Sequence, residues 1–138
     1  MLKKTRWLSG LLLLLIGLFL IGCSADRRTK GKIQDMEFTV LEEKEIPAPL
    51  AEVIEKNKKT EMKLSYQKDG KLYLVRGFGE QATGGYSIAV PEVYLAEDGI
   101  HSKFQLIGPN HDEKIQQTPT CPYIVIQMED KGVSIHFE

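Results

Sequence analysis

A mainly β domain is the fold class the sequence predicts, either an antiparallel β-sandwich or a barrel-like sheet of about seven strands with one short helix. Three observations predict it. Alternation of apolar and polar residues with period two recurs in short segments along the chain. Turn sequences such as Asp69-Gly70 and Glu97-Asp98-Gly99 separate those segments. A single run, from Leu50 to about Lys58, has helical spacing instead.

Taken in order, Met36, Phe38 and Val40 alternate with Glu37 and Thr39, as a half-buried strand does. Pro47-Ala48-Pro49 interrupts the chain. Leu50, Val53 and Ile54 then fall on one helical face, with Glu52 and Lys56 four residues apart on another. A helix this short is marginal alone and must dock on a sheet, which it is expected to cover at one end. Met62, Leu64 and Tyr66 make the next alternating strand, and Asp69-Gly70 turns it into Leu72-Tyr73-Leu74-Val75. That second strand is apolar on both faces, so it belongs inside a sheet.

The stretch Gln81-Ala-Thr-Gly-Gly-Tyr86 is a glycine-rich loop that leads into a strand with Tyr86, Ile88 and Val90 on one face. Val93 and Leu95 have the opposite parity, which predicts a bulge near Pro91. The turn at Gly99 returns the chain through Ile100, Phe104 and Leu106, with His101 and Lys103 outward. Gly108 to Thr120 is a polar loop longer than most connections. Tyr123 to Met128 reads as another strand apolar on both faces, and Val133, Ile135 and Phe137 alternate to close the chain.

The N-terminus has a separate organisation. Lys3, Lys4 and Arg6 precede an uncharged run from Trp7 to Ala25, the pattern of a secretory signal. The run ends in Leu20-Ile21-Gly22-Cys23, which resembles the lipobox of bacterial lipoproteins. The resemblance implies a signal peptide over 1–22, lipidation of Cys23 by acyl chains such as palmitate, and a membrane-anchored protein on the extracytoplasmic face. Acyl chains buried in the bilayer supply the anchor. Residues 23–34, rich in Arg27, Arg28, Lys30 and Lys32, read as a flexible tether, and 35–138 as one β domain. Beyond Cys23 there are 15 basic and 19 acidic residues, since all three basic residues upstream belong to the signal. That mild acidity argues against a nucleic-acid partner.

No catalytic set is evident. Cys121 remains as a single thiol after Cys23 is acylated, with prolines on either side that suit a structural role. His111-Asp112-Glu113 are adjacent and cannot all face one ion, while His101 and His136 lie on outward faces, so no metal or other cofactor is predicted. Ser87 lacks the Gly-x-Ser-x-Gly context of a nucleophile elbow, and the glycine pairs lack the following helix of a phosphate loop. A non-enzymatic protein is expected.

Gly77, the block from Gly79 to Ile88, Gly108-Pro109, Gln116-Gln117-Thr118 and Cys121-Pro122-Tyr123 together resemble the C-terminal domain of PrcB-type protease-complex subunits over most of residues 36 to 128. The resemblance implies a bacterial lipoprotein that binds, and in the family's named member stabilises, a secreted subtilisin-like protease. Gln81, Thr83, Gly84, Gly85, Tyr86, Pro109, Gln116, Gln117 and Thr118 are the residues it marks for partner binding. Thr83, Gly84 and Tyr86 also resemble, more loosely, the Thr-Thr-Gly-Tyr loop of chagasin-type protease inhibitors on an immunoglobulin-like sandwich. Those inhibitors have a further Arg-Pro-Trp loop, and the chain after Cys23 has no tryptophan. Protease inhibition and an envelope lipoprotein with a small-ligand or structural role are therefore the alternatives.

Overall fold

The computed structural model describes residues 31–111 and 114–138. The expected signal peptide, Cys23 and the greater part of the tether lie outside the described residues. Among those described, no helix is long and apolar enough to cross a membrane.

Asp69 and Gly70 both take positive φ, 52° and 76°, which is the backbone of a two-residue hairpin turn. Around it β3 (Glu61–Lys68) and β4 (Lys71–Phe78) pair in unbroken antiparallel register from Lys68↔Lys71 to Glu61↔Phe78. β7 (Tyr123–Glu129) takes the other edge of β4, and β2 (Thr39–Val40) pairs with β7. The result is a four-stranded sheet in the order β2-β7-β4-β3.

A second four-stranded sheet has the order β1-β5-β6-β8, with β1 at Lys32–Asp35, β5 at Ser87–Ala96, β6 at Gly99–Ile107 and β8 at Ile135–Phe137. The expected bulge is present: Ala89 pairs with Gln105 but Glu92 with Lys103, so one extra residue in β5 is absorbed beside Pro91. It turns Ile88 and Val93, whose parities differ, toward the same core. Leu72, Leu74, Ile126 and Met128 from one sheet meet Val93, Ile100 and Phe104 from the other, and the fold is a sandwich with no closed barrel.

The alternate residues of β4 and β7 need cover on the far side of their sheet. α1 (Ala48–Asn57) supplies it, burying Leu50 and Ile54 against Met62, Tyr73, Val75 and Val125. The helix thus lies on a sheet face and does not cap one end as expected, because the exposed apolar surface is the outer face of β4 and β7. Val53 is 41% exposed and stays at the margin of that contact.

Three further expectations are revised. Met36 to Val40 is not one strand. Met36 donates its N–H to Val93 O in one sheet (2.9 Å), and Leu41 donates to Val125 O in the other (2.9 Å), so the chain crosses between sheets there. Met36 and Phe38 still face the core, which is why the alternation looked continuous. The expected tether through residue 34 ends earlier, because Lys32 and Gln34 already pair with Ala96 and Leu95. An edge strand is held by backbone hydrogen bonds and needs no apolar pattern, so polar composition concealed it. With β1 added to the seven expected strands, the described count is eight. Finally, β8 crosses to the sheet of β1, β5 and β6 and pairs parallel with β6, Ile100↔Ile135 to Ser102↔Phe137.

Candidate functional site

β4 delivers the chain to the glycine-rich loop at one end of the sandwich, and the long loop returns to β7 at the same end. The two loops are joined by backbone. Gln81 N–H donates to Thr120 O at 2.7 Å, and Thr120 N–H donates to Gln81 O at 3.0 Å, an isolated antiparallel bridge. Gly84 N–H donates to Gln116 O at 2.9 Å. The Thr120 hydroxyl adds a bond to Thr83 O at 2.7 Å, and the Gln81 side-chain amide reaches back to Phe78 O at 3.1 Å.

Glycine is required at one position of this joint for two reasons. Gly85 has φ +85°, and a Cβ there would come within 2.8 Å of Pro109 Cβ. Pro109 therefore seats directly on the Gly85 backbone, and the half-buried Tyr86 ring lies beside Gly108. Seven of the nine expected binding residues, Gln81, Thr83, Gly84, Gly85, Tyr86, Pro109 and Gln116, are thus brought to one joint. Gln117 and Thr118 stand exposed at its rim, the Gln117 amide donating to Ile115 O at 3.4 Å. Thr120 was not expected, yet it makes three of the cross-loop bonds. A hydroxyl β-branched residue between two prolines, in Pro119-Thr120-Cys121-Pro122, was the available signal.

Just behind the joint, Arg76 is buried on the inner face of β4. Its guanidinium meets Glu61 at 2.9 Å, donates to Gly77 O at 2.6 Å and lies 4.0 Å over the Phe78 ring, while its Nε has no partner among the described residues. Cys121 is a half-buried free thiol. An open groove of about 1090 Å³ lies elsewhere, lined by Met36, Phe38, Gly70, Lys71 and Met128 among others. It adjoins the start of β4, whereas the loop joint adjoins its end, so the two are separated by the strand's length, roughly 25 Å.

A second cluster lies on the outer face of the β1-β5-β6-β8 sheet. Sheet register sets Tyr94 beside His101 and His101 beside His136. The rings stack, with centroids 5.0 Å and 4.6 Å apart. His101 Nε2 meets Asp98 Oδ1 at 2.6 Å, and its Nδ1 meets Glu138 Oε1 at 3.0 Å. The hydrogen bond to Asp98 is the main cause that raises the His101 ring above the ordinary histidine value; burial opposes it and Glu138 assists. The same bond holds the Asp98 carboxyl below its ordinary value. The two histidines were expected on outward faces, and the parallel pairing of β8 with β6 brings them together.

The fold and joint define a two-sheet β domain with a pair of locked loops at one end and the free surface of that end polar. Residues 72–129 match the family model described as PrcB C-terminal. That stretch is similar to the PrcB C-terminal domain, the first of the two resemblances. The match runs from the first inner residue of β4 to the end of β7 and includes both loops, but leaves β1, β2, α1, β3 and β8 outside. No curated protein and no solved structure matches the chain.

Proposed function

We propose that this protein is a lipid-anchored, non-enzymatic accessory subunit that binds and stabilises a secreted or cell-surface protease, with the joined loops as its contact edge. The carrying observation is that both loops fall inside the family match and are fastened to each other by backbone bonds. A surface fixed before binding loses little conformational entropy when a partner docks, which favours recognition. Anchorage at Cys23 would keep the domain, and any protease it holds, at the extracytoplasmic face of the membrane.

The test is a protease-stability assay. Membranes from cells with and without the protein are compared for the half-life and activity of protease retained on the anchored domain. Longer half-life with undiminished activity supports an accessory subunit. Stoichiometric loss of activity would instead support the inhibitor reading, and equal retention with and without the protein would contradict both.

A further inference from the structure

Both imidazoles of the second cluster aim at one carboxylate. His101 Nε2 lies 2.6 Å from Asp98 Oδ1, and His136 Nε2 lies 3.8 Å from Asp98 Oδ2. One donor atom from each residue can be taken so that all lie within 4.8 Å of one another. A tetrahedral dication with bonds of about 2.0–2.2 Å holds its donors roughly 3.4 Å apart, so these atoms need to close by little more than an ångström. The residue best able to move is the one that must. Asp98 sits on the two-residue turn between β5 and β6 with its side chain 63% exposed, and His136, stacked on His101, already turns Nε2 to the same turn, 3.0 Å from Asp98 O.

His101 is the fixed member. Its side chain is only 16% exposed, and Glu138 Oε1 sits at 3.0 Å from Nδ1. The Tyr94 hydroxyl donates to the same Glu138 oxygen at 3.0 Å and so holds that carboxylate in place. Nδ1–H donates to Glu138, so a cation that replaces the Nε2 proton would meet the Nε2 lone pair on the Asp98 side, with a carboxylate behind the ring as metal-ligating histidines are oriented. Two nitrogen donors and one carboxylate suit the borderline first-row dications and not Ca²⁺ or Mg²⁺, which favour oxygen alone.

We propose that Asp98, His101 and His136 form a binding site for a divalent transition cation such as Zn²⁺, with Glu138 orienting His101 and water completing the coordination. The site lies on the outer face of its sheet, in a different place from the loop joint, and does not depend on the protease reading. An ion there would tie β8 to the β5–β6 turn, giving that parallel strand a clamp beyond its three paired residues.

The experiment uses the full chain in detergent, stripped with chelator and titrated with Zn²⁺ by calorimetry and with Co²⁺ by visible absorption. One saturable site per chain and Co²⁺ bands are expected, with saturation lost in His136→Ala and affinity lowered at least tenfold in Glu138→Gln. His111→Ala, in the long loop, is expected to bind as wild type. Asp98→Asn changes only an exposed turn residue and gives the same reading should His136→Ala fail to fold; it too is expected to lose saturation. The proposal is overturned by an absence of saturable binding in the wild type, by wild-type affinity in Asp98→Asn, or by loss of binding in His111→Ala.

Discussion

Gln81 and Thr120 exchange two backbone hydrogen bonds, 2.7 and 3.0 Å long, across loops separated by 39 positions in sequence. The Thr120 hydroxyl extends the pairing to Thr83 O. Replacing that hydroxyl leaves a half-buried carbonyl without its donor. Thr120→Val is expected to destabilise the joint by about 1 kcal/mol, seen as faster amide exchange at Gln81 and Gly84 with little change at β4.

Gly85→Ala meets two obstacles, the positive φ and the Pro109 ring. A loss of about 1–2 kcal/mol in thermal or denaturant unfolding is expected. Pro109→Gly made in the same chain removes the Cβ that the new methyl meets, so the double variant is expected to lose less than the sum of the two single losses.

Gly99→Ala is expected to be the most damaging glycine substitution. At φ +135° an added Cβ overlaps the Ser134 carbonyl oxygen, and that same oxygen accepts the N–H of Ile100 at 2.8 Å. A neighbour that is backbone cannot rotate away. A loss above about 3 kcal/mol is expected, with β8 detaching first in hydrogen exchange.

The helix gives an internal comparison. Ile54 is 1% exposed and Val53 41% exposed on the same turn. Ile54→Ala is expected to destabilise the domain by about 2–5 kcal/mol and Val53→Ala by less than about 1 kcal/mol, measured by urea unfolding.

Much of this architecture was legible locally. The Asp69-Gly70 turn, the phase change at Pro91 and the two-faced apolar runs of β4 and β7 each state their own geometry, since turn chemistry and side-chain alternation are short-range. Where backbone pairing decides without side-chain pattern, the sequence was silent. Lys32 and Gln34 look like tether and form an edge strand; Met36 to Val40 looks like one strand and bridges two sheets. Both loops of the candidate joint are legible as loops with candidate binding residues, but Thr120 is not singled out by the sequence because its role depends on a bridge between distant segments. The Tyr94, His101 and His136 row needed the parallel placement of β8, which no local feature announces.

The central claim is that the joined loops are the contact edge for a protease. A photo-crosslinking amino acid placed at exposed Gln117, and in a second chain at exposed Glu129 near the opposite end, tests it without disturbing the fold. With the protein anchored in its own membrane, the account predicts that a secreted protease is crosslinked from position 117 and not from 129. Crosslinking from 129 alone, or a protease captured equally from both positions, would contradict it.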